Sequence, residues 1–149
     1  MFTNINELAF IISESCNLKC SYCHFVKKVT NDHFEENKKI AQSFRSGEYL
    51  QLYKNFVNEY NIDINKITRA SLWGQEPTLN LDSFNTQIPN LLDWLFNLHF
   101  FFFSTNGVAY IDRIIECVDI FNQYFLIHNR PPFILLIQFS FDGITYIEE

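Results

Sequence analysis

The sequence predicts an α/β fold made of parallel strand and helix repeats. Four short apolar runs, which predict strands, are separated by longer stretches whose apolar residues recur at helical spacing. The runs are residues 8–12, 66–73, 100–103 and 133–139. Strands and helices that alternate in this way form right-handed βαβ units, whose strands are parallel and end at the same edge of the sheet. At 149 residues, the chain is long enough for a single domain, taken here as residues 1–149.

Composition excludes several classes of protein. The chain is 48% hydrophobic and 19% charged, which is typical of a globular protein. Its formal net charge of −6 argues against binding to nucleic acid or to an anionic membrane surface. The N-terminus has no basic region before an apolar segment, and the apolar runs are shorter than the ~20 residues of a spanning helix. We therefore expect a cytoplasmic protein without a membrane partner.

The stretches between the predicted strands have helical character. Residues 33–60 predict two helices divided at Gly47, with Asp32 capping the first. Residues 80–98 predict a helical crossover that Pro89 breaks.

Two expectations concern burial. Residues 108–129 predict a helix that buries Cys117 as a small hydrophobic residue and whose core side carries Ile111, Ile114, Ile115, Val118, Phe121 and Phe125. The continuous run of phenylalanines at 100–103 predicts a strand buried on both faces.

Three cysteines follow the first predicted strand. Cys16, Cys20 and Cys23 lie within eight residues, on the loop at the strand's carboxyl end, where α/β proteins carry their chemistry. Three thiolates at this spacing favour a 4Fe-4S cluster with one iron open to a ligand. The spacing also allows a zinc site with His24 as the fourth ligand, or three thiols that bind no metal.

The other three strands each end in a short polar segment. The second strand runs into Gly74-Gln75-Glu76-Pro77, in which glycine permits close approach to a ligand and the carboxylate can accept hydrogen bonds from an ammonium group. The third ends in Ser104-Thr105-Asn106-Gly107, whose hydroxyl and amide groups suit a sugar diol or a carboxylate. The fourth ends in Ser140-Phe141-Asp142-Gly143.

These four segments together resemble the motifs of the radical S-adenosylmethionine (radical SAM) enzymes. The cysteine spacing, with Tyr22 before the last cysteine, is similar to the family's cluster loop. The other segments resemble its Gly-Gly-Glu-Pro, Thr-Asn-Gly and Ser-x-Asp-Gly stretches, with Gln75 in place of the second glycine. The combination resembles the branch that matures peptides and sulfatases.

The resemblance implies both cofactors and an activity. Cys16, Cys20 and Cys23 would hold a 4Fe-4S cluster, whose open iron would chelate S-adenosylmethionine. The residues expected around that cofactor are Tyr22, Gly74, Gln75, Glu76, Pro77, Ser104, Thr105, Asn106 and Ser140. The implied oxidoreductase chemistry is reductive cleavage of S-adenosylmethionine to a 5′-deoxyadenosyl radical, which takes hydrogen from a peptide or protein substrate. An electron donor such as flavodoxin or ferredoxin is implied, and no catalytic acid or base is singled out.

The family's core is a partial TIM barrel of about six strands, of which the sequence predicts about four. We therefore expect an incomplete core, truncated on its C-terminal side, and a partner chain that completes the barrel. Two other interpretations remain at this stage. One is a non-catalytic remnant, or half of a split enzyme, that acts through a second chain. The other is the zinc-binding module with three cysteines and His24.

Overall fold

A computed structural model describes residues 4–18 and 31–140 of the chain. Its centre is a sheet of four parallel strands: β1 (Glu7–Ser13), β2 (Arg69–Gly74), β3 (Phe100–Thr105) and β4 (Ile134–Phe139). The strands lie in the order β1-β2-β3-β4, with helices in every connection between them. This arrangement confirms the α/β prediction and is compatible with part of a βα barrel. The second strand begins at Arg69, three residues later than predicted, because Ile64–Lys66 forms a 3-10 turn.

The helices are α1 (Asn31–Ser46), α2 (Glu48–Glu59), α3 (Leu81–Asn85), α4 (Ile88–Trp94) and α5 (Ile111–Ile127). Gly47 separates α1 from α2 with a left-handed φ of 80°, as its position predicted. Asp32 lies inside α1 and not before it, so it is not the cap. The break expected at Pro89 is confirmed, since α3 ends at Asn85 and α4 begins at Ile88. Pro89 lies in the first turn of α4, where a helix tolerates proline because the N–H has no partner.

The helices cover one face of the sheet. Residues of β1, β2 and β3 on this face are almost completely buried, including Phe10, Leu72, Phe101 and Phe103. The opposite face, which we call the open face, carries Ile11, Trp73, Phe100, Phe102, Ile134 and Leu136. Four of these side chains, Ile11, Trp73, Ile134 and Leu136, are 47–58% exposed. The expectation that the phenylalanine strand is buried on both faces is therefore wrong, since Phe100 and Phe102 are only half-buried.

The two edges of the sheet differ. At β1, two tyrosines of α2 donate hydrogen bonds to outward carbonyls, Tyr49 to Ile11 at 2.5 Å and Tyr53 to Ala9 at 2.8 Å. At β4, Ile134 N–H donates to the carbonyl of His99, the residue before β3, so the alternate residues Leu135 and Ile137 direct their main-chain groups outward. Within residues 4–18 and 31–140, only β1 has its outer edge capped by side chains in this way.

The helix α5 buries Ile114, Cys117, Phe121 and Tyr124. The prediction for Cys117 is confirmed, and burial raises the pKa of its thiol to about 12. The predictions for Ile111 and Ile115 are wrong, because these side chains are 44% and 57% exposed. Ile115 is displaced by about 100° around the helix from Ile114, which places it at the solvent side.

None of the described helices combines the length and the apolar character that a bilayer span requires.

Candidate functional site

The carboxyl ends of the strands are tied together by main-chain hydrogen bonds. Gln75 N–H donates to the Ser13 carbonyl at 3.2 Å, and Glu76 N–H donates to the Ser15 carbonyl at 3.1 Å, which joins the ends of β2 and β1. Ser140 N–H donates to the Thr105 carbonyl at 2.8 Å and joins β4 to β3. The segments that follow the four strands therefore lie together at the end of the sheet where the strands finish.

Cys16 lies at this end of the sheet, three residues beyond the end of β1, and is half-buried. Its sulfur accepts a hydrogen bond from Leu18 N–H at 3.4 Å and lies 3.8 Å from the side-chain nitrogen of Asn106. Two N–H groups directed at one sulfur stabilise a thiolate, which is the form that binds a metal. Cys20 and Cys23, with Tyr22 and His24, lie outside the described residues.

Gly74 occupies a position that excludes any other residue. Its φ is 139°, and a Cβ at this point would come within 2.3 Å of the Ser13 carbonyl oxygen. The close contact arises because the last pair of the β1–β2 ladder is Ser13 with Gly74, after an irregularity in register. A glycine here lets β2 pass directly beside β1 at the point where the cysteine segment begins.

Gln75 replaces glycine without strain, since it is not among the residues of positive φ in the described chain. Its side-chain nitrogen donates to the Glu14 carbonyl at 2.8 Å. Its Oε1 atom is buried and has no hydrogen-bond partner within the described residues. The segment therefore presents a buried acceptor for which this part of the chain supplies no donor.

Glu76 is only 1% exposed, and its carboxylate is held by protein donors. Oε1 accepts from the hydroxyls of Thr78 and Thr105, both at 2.6 Å, and from Thr78 N–H at 3.2 Å. Oε2 accepts from Asn106 N–H at 2.9 Å. The geometry therefore does not support the expected bond to an ammonium group. Instead, the carboxylate joins the end of β2 to the end of β3, and we call this arrangement the Glu76 clamp.

Asn106 connects the Glu76 clamp to the cysteine segment. Its main-chain N–H reaches Glu76, while its side-chain nitrogen donates to Asn17 Oδ1 at 2.8 Å and points one N–H towards Cys16. The next residue, Gly107, has φ 67°, and its N–H donates to the Thr105 hydroxyl at 3.1 Å. Segments that are remote in sequence thus meet at one asparagine.

The remaining predicted residues fall into three positions. Ser104 is half-buried on the open face, where it pairs with Gln138. Pro77 is buried and begins a 3-10 turn that ends at Leu79. Ser140 is exposed, and Asp142 lies outside the described residues.

A cavity of about 540 Å³ opens beside Cys16's segment, at the ends of β1 and β2. Its lining consists of Ile11, Ser13, Glu14, His33, Trp73, Gly74 and Gln75. The volume is in the range of small-molecule sites, but a groove between α2 and α4 is larger, at about 610 Å³, so this cavity is distinguished by its position and not by its size. It adjoins the cysteine segment, and Gln75 is one of its lining residues.

Sequence reasoning missed three contributors to the site. The sequence predicts Trp73 only as the last residue of a strand, although its side chain is 57% exposed and lines the cavity. Thr78 holds Glu76, and a hydroxyl two residues after an acidic residue is a recognisable turn signal. Asn80 is buried and donates to the Ile12 carbonyl at 2.7 Å and to Asn37 Oδ1 at 3.0 Å, which anchors α1 to the end of β1. No local pattern in the sequence marks that contact.

Within the described ranges, no three His, Cys, Asp or Glu side chains lie close enough to hold a metal ion. The predicted set of three cysteines has only Cys16 in those ranges.

No protein-family model matches the sequence, and neither a curated protein nor a solved structure matches this chain.

Proposed function

We propose that the chain is a radical S-adenosylmethionine domain, with Cys16, Cys20 and Cys23 as ligands of a 4Fe-4S cluster. When bound and reduced, the cluster and S-adenosylmethionine together supply a 5′-deoxyadenosyl radical that takes hydrogen from a peptide or protein. The reducing electron comes from a flavodoxin or ferredoxin. The finer fold assignment, a partial radical SAM barrel, is part of the same proposal.

The observation that carries the proposal is the meeting of three separate segments at Asn106. Its bonds join the cysteine segment after β1, Glu76 after β2, and its own segment after β3. These are the segments in which the sequence resembles the family. Adjacent parallel strands bring the three segments near one another, and the bonds of Asn106 fix them in contact.

The surroundings of Cys16 suit a metal-bound thiolate. Its sulfur lies near the N–H groups of Leu18 and Asn106, which stabilise negative charge. Cys117 does not suit this role, because it is buried in α5 and its thiol pKa is raised to about 12. The ligand set is therefore the loop cysteines alone.

The cavity beside β1 and β2 suits the amino acid portion of the cofactor. An ammonium group requires acceptors, and the buried Gln75 Oε1 atom is an acceptor without a partner in the described chain. Gly74, which also lines the cavity, lets β2 pass directly beside β1 at this point. Glu76 joins the ends of β2 and β3 through its hydrogen bonds to Thr105 and Asn106, and the exposed ring of Trp73 lines the cavity.

Anaerobic reconstitution tests the proposal. The protein is loaded with iron and sulfide, reduced with dithionite and assayed for 5′-deoxyadenosine after addition of S-adenosylmethionine. We expect product from the native chain and from Cys117→Ala, and none from Cys20→Ala. A chain that binds zinc tightly, loses it in a His24→Ala variant and forms no cluster would instead be the zinc module.

A second candidate function, half of a split enzyme, is favoured by the open face and by β4. Ile134 and Leu136 are 58% and 47% exposed, and the outward main-chain groups of Leu135 and Ile137 have no described partner. A further strand from a partner chain pairs with such an edge and covers the adjoining face. Cluster formation without product, and product on addition of that partner, distinguishes this candidate.

A further inference from the structure

The side chain of Asn106 lies against the sulfur of Cys16. Its nitrogen is 3.8 Å from Cys16 Sγ and 2.8 Å from Asn17 Oδ1. The same Asn17 oxygen lies 3.9 Å from Cys16 Sγ and accepts from the protonated thiol, a contact that is lost when a metal displaces the proton. A carboxamide nitrogen carries two hydrogens, so one can bond to the amide oxygen while the other is directed at the sulfur.

The rest of Asn106 is held so that the nitrogen must face the sulfur. Its Oδ1 atom accepts a hydrogen bond from Val108 N–H at 3.1 Å, which fixes which end of the carboxamide points away from Cys16. Its main-chain N–H is bound to the buried carboxylate of Glu76 at 2.9 Å. The donor is therefore positioned before any metal binds, and the contact does not depend on a mobile side chain.

We propose that Asn106 donates an N–H···S hydrogen bond to the metal-bound thiolate of Cys16 and so sets the electron-donating strength of that sulfur. The inference rests on the proposed metal ligation by Cys16. A donor directed at a thiolate draws electron density from the sulfur and stabilises the more negative, reduced state of the centre. Asn106 is thus a positioning residue for the metal centre, and Glu76 holds it there.

Cobalt(II), a probe of metal–thiolate bonds, tests the proposal without catalysis. The variants are Asn106→Ala, which keeps the main-chain bond to Glu76, and Asn106→Ser, whose hydroxyl can still accept from Val108 N–H but is too short to reach Cys16. The control is Asn90→Ala, an exposed asparagine of α4. We expect the sulfur-to-cobalt charge-transfer absorption to move to lower energy in both Asn106 variants and to stay constant in the control.

The same variants are then reconstituted with iron and sulfide and titrated to obtain a midpoint potential. The bond is present in both redox states, so only its difference in strength between them changes the potential. A difference of up to about tenfold in equilibrium lowers the potential of a one-electron couple by up to about 59 mV in the Asn106 variants. The Asn90 variant should match the native potential.

The outcomes separate this inference from the proposed function. A cobalt shift with no iron–sulfur cluster supports the role of Asn106 and rejects the radical enzyme. An active cluster with no cobalt shift and an unchanged potential in both Asn106 variants overturns the role of Asn106 and leaves the enzyme proposal intact. Failure of the native protein to form any cobalt–thiolate bond overturns it as well, because Cys16 would then not be a metal ligand.

Discussion

At the scale of single residues, Glu76 shows how a motif residue acts through its neighbours. The carboxylate is buried and receives four hydrogen bonds, from Thr78, Thr105 and Asn106. In Glu76→Gln an NH₂ group replaces one acceptor oxygen and faces groups that themselves donate. We expect a loss of about 1–3 kcal/mol in the free energy of unfolding, measured by urea denaturation.

Glu59→Gln is the control for that substitution, since Glu59 is exposed at the end of α2. It should change the free energy of unfolding by less than about 0.5 kcal/mol. If the two variants were equally stable, Glu76 would not be a clamp, and its carboxylate would have to be open to solvent or ligand.

Gly74 provides a second prediction at this scale. In Gly74→Ala the new Cβ meets the Ser13 carbonyl at 2.3 Å and the residue keeps φ near 139°, so strain and overlap add. We expect a loss of roughly 2–5 kcal/mol in the free energy of unfolding. Gly47→Ala is the matched substitution, because Gly47 also has positive φ but its Cβ would meet only Gln87 at 3.7 Å.

Gly47→Ala should therefore cost only about 1–2 kcal/mol, the strain of a left-handed residue. Equal losses in the two alanine variants, measured by denaturant unfolding, would show that β1 and β2 can separate at this point.

The sequence predicted that Gly74, Glu76 and Asn106 lie close together at the ends of the strands, but not which contacts they make. Gly74, Glu76 and Asn106 were recognisable because each follows an apolar run, and parallel strands end at one edge. The direction of the Glu76 carboxylate was not predictable, since it depends on donors from Thr105 in another strand. Cys20 and Cys23 remain predictions.

At the scale of elements, α2 closes one edge of the sheet through two hydroxyl groups. Burial raises the pKa of Tyr49 and of Tyr53, and the neighbouring Tyr53 adds to the effect on Tyr49. Both hydroxyls therefore stay protonated in the folded state and continue to donate to Ile11 and Ala9 when the pH reaches 10.

These raised pKa values predict a pH dependence of stability. A tyrosine in the unfolded chain ionises near pH 10, below its pKa in the folded state, so folding becomes less favourable above that pH. The stabilisation is fully present below pH 10 and is lost as pH rises towards the folded pKa values. The buried Cys117 thiol acts in the same direction, because it ionises at about pH 8.5 in the unfolded chain but only at about pH 12 in the folded state. We therefore expect an unfolding free energy that is nearly constant from pH 7 to about 8, declines gently above that pH and falls more steeply above pH 10, as measured by denaturation at each pH.

Tyr49→Phe should reduce both the stability and its alkaline dependence. The loss of one hydrogen bond to Ile11 costs about 1 kcal/mol at neutral pH, and the decline above pH 10 should be shallower than in the native chain. Tyr60→Phe, at the exposed end of α2, is the control. An unchanged alkaline decline in Tyr49→Phe would contradict the assigned role of this hydroxyl.

At the scale of the whole molecule, the prediction of fold class succeeded because strand and helix periods differ clearly along the chain. The prediction of burial failed at Phe100–Thr105 for a physical reason. Four consecutive phenylalanines are apolar at every position, so the sequence does not show which of them face the helices and which face the open side. The structure resolves the alternation, with Phe101 and Phe103 fully buried and Phe100 and Phe102 half-buried.

The two faces of the sheet give the last prediction, in which adjacent residues act as each other's control. Phe101→Ala empties a position that is 0% exposed beneath the helices and should lower the free energy of unfolding by about 3–5 kcal/mol. Phe102→Ala removes a half-buried ring from the open face and should cost about 1–2 kcal/mol. Urea denaturation at two protein concentrations measures both.

A loss in Phe102→Ala as large as that in Phe101→Ala would contradict an open face in solution. If that loss also grew with protein concentration, a second copy of the chain would be covering the face, because only association makes stability depend on concentration.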